Sequence, residues 1–344
     1  MQHKITSKAP LLRDDGTLTS AGYATEPVLI YDRSKIRASK MRIKEWDYYY
    51  IGNNSHGIAL TIADNGYMGL ISASAIDFIN PSEQTTSVMT VMPLGKMNLP
   101  ASSASGNSAY KNSRVDFLFA TDEGIRRLNC SMKNFSQGED FYAEFTLSDP
   151  PGESMVIATP FAEKKTAFYY NQKINCMRAE GYAVIGETRI DFSKEDTFAT
   201  LDWGRGVWTY NNTWYWASAS GLLGETKFGF NLGYGFGDTS NASENMLFYN
   251  NRAHKLDQVT FRIPKNGNGE YDYLKPWSFT SSDGRFEMDF EPILDRHADM
   301  NLLVLASFQH QVFGRFTGTA VLDDGTAIRI ENFLGFAERV TNRW

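Results

Sequence analysis

Hydrophobic and polar positions alternate with a period of two along most of this chain. Short apolar or aromatic runs are interleaved with polar residues, and Gly, Asn and Asp separate the runs. Side chains of a β-strand point alternately to its two faces, so this pattern predicts antiparallel strands joined by turns. The predicted strands are 28–31, 46–51, 57–63, 69–76, 115–120, 141–147, 155–159, 226–234, 246–249, 255–263, 285–290, 310–322 and 327–333.

Helical periodicity is almost absent, although 34–44 and 241–246 could each form a turn or two. Many short strands without crossover helices are typical of β-sandwiches and barrels, so the predicted fold class is all-β. Pro150-Pro151-Gly152 has the composition of a turn.

The length of 344 residues allows two domains. The pattern shifts near Ala179-Glu180-Gly181, just before a tryptophan-rich block. We therefore expect an N-terminal domain at 1–178 and a C-terminal domain at 179–344.

Composition and charge exclude several functions. The net charge of −6 argues against a nucleic-acid partner, which requires a concentrated basic face. The first ten residues lack the apolar core of a secretory signal, and no later stretch is long enough to span a bilayer. We expect a soluble cytoplasmic protein without integral membrane association. The two cysteines, Cys130 and Cys176, provide neither a disulfide framework nor a metal-ligand spacing, so we expect reduced thiols, no metal and no cofactor.

The densest group of candidate functional residues lies at 199–216. Large aromatics are costly to expose and isolated charges are costly to bury, so their combination indicates either a ligand pocket or a buried structural ion pair. The group comprises Asp202, Trp203, Arg205, Trp208, Trp214 and Trp216.

In the functional interpretation, Asp202 is a catalytic acid. The strand that begins at Phe198 would end at Gly204, which places Asp202 at a barrel rim and Arg205 on a glycine-flanked turn. Surrounding tryptophans would raise the pKa of the Asp202 carboxyl, so that it can donate a proton. Arg205 would orient Asp202, and His310 would relay a proton or hold a water molecule. In the structural interpretation, the Asp202–Arg205 pair pins a corner and has no catalytic role.

Other residues are candidates to bind the ligand. Tyr169, Asn171 and Lys173 share one face of a predicted strand. Asp238, Glu244 and Asn245 follow a glycine-rich run in a polar stretch that could line a pocket mouth, although a turn and a helix cap explain them nearly as well.

A further charged cluster surrounds Trp46. Glu45 and Asp47 share a strand face there, which we expect to be solvated. The glycine-rich run at 229–237 lacks the strand, spacing and helix of a dinucleotide fingerprint, so it is interpreted as a packed strand.

Four motifs carry a resemblance to a known family. They are IKEWDYY at 43–49, FYYNQK at 168–173, LDWGRGVW at 201–208 and HQVFGRF at 310–316. With the closing Gly335-Phe336-Ala337-Glu338, they resemble a bacterial family catalogued only as a domain of unknown function, from end to end.

A more distant similarity is to the carotenoid hydratase and AttH-like proteins. It rests on the order Tyr169-Tyr170, Gly181 to Gly186, Asp202 to Arg205, and Trp214-Tyr215-Trp216. This chain has Gly-Arg-Gly where those relatives often carry Arg-Glu-Trp. The resemblance implies two tandem lipocalin-like β-barrels with a pocket in or between them, in a superfamily that includes hydratases, pericyclases and lipid-binding proteins.

The leading functional hypothesis is a hydratase, lyase or isomerase acting on a small apolar molecule such as an isoprenoid or lipid. Trp208, Trp214 and Trp216 would stabilise a developing carbocation through their ring faces. Two alternatives stay open: a non-catalytic carrier of apolar ligands, and a protein that binds or cleaves sugars. A carrier requires an apolar cavity without acids, whereas an enzyme requires an ionisable group on the cavity wall.

Overall fold

The computed structural model describes residues 2–148, 152–302 and 305–343. Helix in these ranges is limited to the 3-10 turns Arg33–Lys35 and Lys40–Arg42. The strands are β1 (Ala9–Pro10), β2 (Gly22–Ala24), β3 (Leu29–Ile30), β4 (Ile43–Gly52), β5 (His56–Asp64), β6 (Met68–Asp77), β7 (Ser82–Val91), β8 (Gly106–Lys111), β9 (Val115–Asp122), β10 (Ile125–Ser136), β11 (Glu139–Ser148), β12 (Met155–Pro160), β13 (Phe168–Ile185), β14 (Thr188–Phe192), β15 (Phe198–Val207), β16 (Asn211–Leu223), β17 (Thr226–Tyr234), β18 (Met246–Tyr249), β19 (Arg252–Lys255), β20 (Val259–Arg262), β21 (Trp277–Ser281), β22 (Phe286–Leu302), β23 (Leu305–Val321) and β24 (Ala327–Arg343).

Most of these strands belong to two curled antiparallel sheets, so the all-β prediction of two tandem lipocalin-like barrels is confirmed. The N-terminal sheet runs β7-β6-β5-β4-β15-β13-β11-β10-β9-β8, and β2, β12 and β14 extend it around β13. The sheet curls so that β7, at one end, approaches β10 near the other end, where the Thr86 hydroxyl donates to the Phe135 carbonyl at 2.6 Å. The C-terminal sheet runs β19-β18-β17-β16-β24-β23-β22-β21-β20. There the Phe261 N–H on β20 donates to the Tyr234 hydroxyl on β17 at 3.3 Å.

The chain passes from one sheet to the other between Val207 and Asn211. The expected junction at 178/179 lies inside β13, a strand of the N-terminal sheet. One end of β13 pairs with β12 and β15, and its other end pairs with β11 and β14. The sequence pattern therefore shifts at Ala179–Gly181 because the neighbours of one strand change, while the chain stays in the same sheet.

Each barrel encloses its own apolar core, and two further apolar clusters lie between the barrels. A bulge in β13 between Ile174 and Met177 joins the two sheets. The Asn175 amide donates to the Ser218 hydroxyl at 2.8 Å and to the Phe230 carbonyl at 3.0 Å. These hydrogen bonds hold β13 against β16 and β17 and position the surface on which the candidate site is built.

Several local expectations are corrected. Residues 241–245 form no helix, and Met246 begins β18. Glu45 and Asp47 are buried inside the N-terminal barrel, since the inner face of β4 carries these acids together with Tyr49. Cys130 and Cys176 are buried free thiols, as expected. The predicted turn at Pro150 and Pro151 lies outside the described residues.

The short helical turns of the described chain have neither the length nor the hydropathy of a membrane-crossing helix.

Candidate active site between the barrels

Asp202 and Arg205 lie on opposite faces of β15, so the expected pair does not form. β15 continues through Gly204 to Val207 instead of ending in a turn, and neighbouring odd and even positions point in opposite directions. Arg205 enters the N-terminal barrel, where its Nη1 lies 3.0 Å from Asp47. It also donates to the carbonyls of Trp46, Gly204 and Pro100. Arg205 therefore does not orient Asp202.

Trp203 shares the inward face with Arg205. Its ring packs edge-on against Tyr31 and Tyr170, and the Arg205 guanidinium lies 4.2 Å from the ring centroid. The expected ligand-binding role of Trp203 finds no support in this position, because the N-terminal core covers the ring.

Gly204 lies within the strand because Trp46 crosses it. A Cβ at this position would lie 1.9 Å from Cζ2 of Trp46. The glycine is therefore needed for the close approach of the Trp46 side chain to the backbone of β15, and not for a turn.

Asp202 faces the C-terminal barrel and pairs with Lys173. β13 and β15 are in register there, so the two residues are direct cross-strand neighbours. Lys173 Nζ lies 2.6 Å from Asp202 Oδ2, and the Asn171 amide donates to Oδ1 at 2.6 Å. The ammonium also lies 3.9 Å from the ring centroid of Trp216 on the other sheet. Asn171, Lys173 and Trp216 thus surround one buried carboxyl.

Glu338 on β24 is a second buried carboxyl of this site, and sequence reasoning assigned it no role. Only 4% of the residue is exposed. Trp214 Nε1 donates to its Oε1 at 2.9 Å, and Gln311 Nε2 donates to its Oε2 at 3.0 Å. Burial raises the pKa of Glu338 to about 7; the Trp214 hydrogen bond and the charge of Lys173 oppose the rise, and the charge of Asp202 adds to it.

Glu244 is the third buried carboxyl of the site, whereas Asp238 and Asn245, predicted together with it, have other roles. Burial raises its pKa, with Lys173 opposing the rise and Asp202 adding to it. Asp238 instead accepts from the Ser240 N–H at 3.0 Å in an exposed turn. Asn245 accepts from the Gly233 N–H at 2.8 Å and donates to the Asp257 carbonyl, so it braces the backbone. Of the three residues predicted in this stretch, the structure brings Glu244 to the other carboxyls.

Aromatic rings surround these groups. Tyr169 stacks on Trp46 with centroids 6.1 Å apart, and burial raises its pKa well above the ordinary tyrosine value. Trp208 packs against Trp46, Trp214 and Phe236, and Trp216 packs against Tyr48 and Phe336. Trp46 and Trp214 contact both apolar clusters between the barrels and are only partly buried. They are more exposed than Tyr169, Trp208 and Trp216, which are buried.

Gln311 and Arg296, which were not among the predicted site residues, also interact with Glu338. Gln311 also contacts the Tyr48 hydroxyl at 3.5 Å, and burial raises the pKa of Tyr48 to about 12. Arg296 donates to the Ser74 hydroxyl at 2.6 Å, and its charge opposes the rise in the pKa of Glu338. The available signal for Gln311 was the alternation around His310, which places the two side chains on opposite faces.

His310 is not part of this site. It faces the interior of the C-terminal barrel, where its Nδ1 lies 2.7 Å from Asp295 Oδ2. Its ring stacks on that of Tyr273, with the ring centroids 3.8 Å apart. The expected partnership with Asp202 is therefore wrong, because alternation on β23 directs Gln311, not His310, toward the space between the barrels.

The site, defined as Asp202, Lys173, Glu244, Glu338 and the surrounding aromatic residues, combines three carboxyls with a buried ammonium. Such a set can donate and accept protons and can stabilise charge in an apolar setting. No group of three or more His, Cys, Asp or Glu side chains suited to a metal ion is present in the part of the chain that the structure describes.

The family described as "Domain of unknown function (DUF2804)" matches residues 2–344. No curated protein matches the chain. The fold is similar to that of a putative AttH from Nitrosomonas europaea, at 13% identity over 92% of this chain and 98% of that one, with a TM-score of 0.55.

Two further solved structures share the fold. Kievitone hydratase from Nectria haematococca is 12% identical over 98% of both chains, with a TM-score of 0.52. CghA with Sch210972 is 10% identical over 88% of both chains, with a TM-score of 0.52. These likenesses show that this chain shares the fold of the three solved proteins.

Proposed function

The chain belongs to the DUF2804 family, and we propose that it is an acid–base enzyme of the hydratase, lyase or isomerase type, acting on a small and largely apolar molecule between its barrels. The observation that carries this proposal is the buried Glu338 carboxyl, whose pKa is raised to about 7. A carboxyl with this pKa is substantially protonated at neutral pH, so it can serve as a general acid.

In the proposed reaction, Glu338 protonates a carbon–carbon double bond of the substrate. The rings of Trp214, Trp216 and Tyr169 and the carboxylate of Asp202 stabilise the resulting positive charge. In a hydration, water adds to the cation and its surplus proton returns to Glu338. In an isomerisation, the Glu338 carboxylate removes a proton from a different carbon of the cation, which gives the isomer and restores the acid. The reverse of hydration is the lyase reaction.

We assign proton donation to Glu338 instead of Asp202. Asp202 is already engaged by the Lys173 ammonium and by Asn171, both at 2.6 Å. An ion-paired carboxylate suits charge stabilisation better than proton donation. The hydrogen bonds that Glu338 accepts from the described residues come from the neutral side chains of Trp214 and Gln311.

Buried ionisable groups also favour an enzyme over a non-catalytic carrier. Burying charge costs free energy, and a carrier of apolar ligands gains nothing from three carboxyls on the wall of its site. The shared fold with a protein named as a hydratase supports the same reaction class.

The test is an incubation in D2O with isoprenoids, unsaturated fatty acids and oligosaccharides, followed by mass spectrometry. Hydration adds the mass of D2O, and isomerisation exchanges hydrogen for deuterium. Glu338→Gln should lower the rate by about a hundredfold or more. The matched control is Glu331→Gln on the same strand, whose exposed side chain pairs with Arg329; it should leave the rate unchanged.

The proposal fails if Glu338→Gln keeps the wild-type rate. It also fails if the apolar molecules bind without any mass change, which identifies a carrier, or if only oligosaccharides are converted.

A further inference from the structure

An exposed apolar surface lies at one end of the N-terminal barrel, on the outer face of β7. β7 is the outermost strand of its sheet, and its Val88 is packed into the barrel core. The neighbouring positions Met89 and Val91 therefore point outward. Val91 is 84% exposed and Met89 is 60% exposed, and Met92 after the strand is exposed as well. Exposed apolar side chains that lie together commonly mark an interaction surface.

The turn between β5 and β6 brings a second segment to this surface. The Met92 N–H donates to the Tyr67 carbonyl at 2.9 Å, so the end of β7 is held against the turn. On the other side of the turn, a Cβ on Gly66 would lie 2.6 Å from the carbonyl oxygen of Met41. Met41 is itself exposed, and the exposed Lys40 precedes it. Met41 and Met92 thus flank one turn.

The segments that meet at this turn contain basic residues and no acid. Residues 33–44 contain three lysines and three arginines, 65–76 contain no charged residue, and the one charged residue of 84–98 is Lys96. The whole chain carries a net charge of −6. This end of the barrel therefore concentrates positive charge in a protein that is acidic overall, which favours an anionic partner.

Acids from other segments neutralise part of this positive charge. Two of the cations are paired, in the contacts Arg33–Glu45 and Lys35–Asp14. Lys40 and Lys96 are exposed, and no carboxylate of the described residues forms an ion pair with either. Lys40 directly precedes Met41, and Lys96 follows Met92 by four positions. The exposed apolar side chains are thus flanked by two cations that are available to an anion.

The outer face of the sheet continues from this surface to the proposed active site. Trp46, Ala63, Leu70 and Met89 are direct cross-strand neighbours on β4, β5, β6 and β7. Directly opposite residues in adjacent strands point to the same face. A row of apolar side chains therefore joins the exposed Met89 to Trp46 at the active site.

We propose that this end of the N-terminal barrel binds an anionic lipid layer. Its lipid-facing surface comprises Met41, Met89, Val91, Met92, Lys40 and Lys96. The apolar side chains enter the layer at the level of the headgroups, and the two lysines pair with lipid phosphates. A lipid layer fits this surface better than a second copy of the chain, because a symmetric pair would bring two sets of the same cations together.

The row that leads to Trp46 would let an apolar substrate pass from the lipid to the active site. This link rests on the proposed function, whereas binding to lipid does not. Binding is therefore tested without any turnover, by co-sedimentation with vesicles of phosphatidylcholine alone or of equal parts phosphatidylglycerol and phosphatidylcholine. Wild-type protein should bind the phosphatidylglycerol vesicles more tightly by roughly tenfold or more.

Two double variants separate the apolar and the charged parts of the lipid-facing surface. Met89→Ser combined with Val91→Ser removes apolar side chains, and Lys40→Gln combined with Lys96→Gln removes charge. Each should lower the affinity for the phosphatidylglycerol vesicles by roughly tenfold. All four side chains are exposed, so both variants should fold, and circular dichroism checks this.

Matched controls change exposed residues elsewhere on the protein. Lys194→Gln combined with Lys275→Gln removes the same charge, and Leu274→Ser removes an exposed apolar side chain. Both should bind vesicles like wild type. Glu338→Gln should also bind like wild type, so a failure of the proposed activity leaves this test intact.

The proposal is overturned if wild-type protein does not bind the phosphatidylglycerol vesicles or binds both kinds of vesicle equally. It is also overturned if either double variant binds like wild type, or if the controls lose as much affinity. Retained binding of the Met89 and Val91 variant would mean that charge alone acts, as it would on an acidic protein. A dimer that forms without vesicles and is dispersed by Val91→Ser would overturn it too, in favour of an interface between two copies.

Discussion

Two buried charge clusters lie back to back on β15, and they are built for different purposes. On the inner face, the Arg205 guanidinium meets the Asp47 carboxylate and three backbone carbonyls. On the outer face, three carboxyls, Asp202, Glu244 and Glu338, face Lys173, and burial raises the pKa of both glutamates.

The difference separates structure from chemistry. The inner cluster balances one cation against one anion and uses its hydrogen bonds to fix the N-terminal barrel. The outer cluster gathers three carboxyls around Lys173, and burial raises the pKa of Glu338 to about 7, so this carboxyl retains part of its protons at neutral pH. Loss of a residue should therefore cost folding stability on the inner face and cost activity on the outer face.

The largest expected effect comes from breaking the inner cluster. Arg205→Met leaves Asp47 buried without its cation, and loss of one partner of a buried ion pair costs about 3–5 kcal/mol. Urea denaturation should show this loss in the free energy of unfolding. In the control, Asp47→Leu combined with Arg205→Met should recover part of the lost free energy of unfolding, because the double variant leaves no unpaired buried charge at these two positions. A stable Arg205→Met protein with reduced activity would place Arg205 in the chemistry and contradict the comparison.

Glu338→Gln should have the opposite effect on stability above neutral pH. The pKa of Glu338 is raised from 4.5 to about 7 in the folded protein, so the folded state binds more protons than the unfolded state between these values. Stability from this group is therefore lost as pH rises from about 4.5 to 7, by a total of about 3 kcal/mol. Glu338→Gln removes that loss.

Melting curves at pH 5 and pH 8 check this expectation. The difference in melting temperature between the two pH values should be smaller in Glu338→Gln than in wild type or in the exposed control Glu331→Gln. An unchanged difference would show that Glu338 ionises normally.

Gly204→Ala should lower both stability and activity, because Gly204 lies on β15 between the two clusters. The added methyl group collides with Trp46, whose ring stacks on Tyr169 at the edge of the active site. Overpacking of this kind costs about 1–3 kcal/mol, and displacement of Trp46 should also lower activity. Gly267→Ala is the matched control, because a Cβ there meets no atom within 4 Å. Normal stability and activity of Gly204→Ala would mean that Trp46 can move without consequence.

The alternation of the sequence predicted the all-β class and placed Tyr169, Asn171 and Lys173 on one face, whereas the two tandem barrels were predicted from the resemblance to the AttH-like proteins. It misplaced Gly204, because glycine marks turns as well as close contacts and the chain pattern does not show Trp46 approaching. It did not predict β8, β10, β14, β16 and β21, and it also missed β7, an edge strand whose largely exposed residues show no apolar face.

The partners within the site were harder to predict than the strands. Glu338 receives its hydrogen bonds from Trp214 and Gln311, which lie on other strands. Which strands become neighbours is decided by how the sheets pack, and a single sequence carries no direct signal for it. The motif ending in Glu338 was visible, but its acid could not be matched to Asp202 and Lys173.

The most direct test of the account is the titration of the Glu338 side chain itself. Protein labelled with 13C at the glutamate carboxyl carbons is followed by NMR across pH 4 to 9, and the Glu338 signal is identified by its loss in Glu338→Gln. We expect a midpoint at about 7. A midpoint near the ordinary glutamate value of 4.5 would contradict it, because Glu338 would then hold no proton to donate at neutral pH.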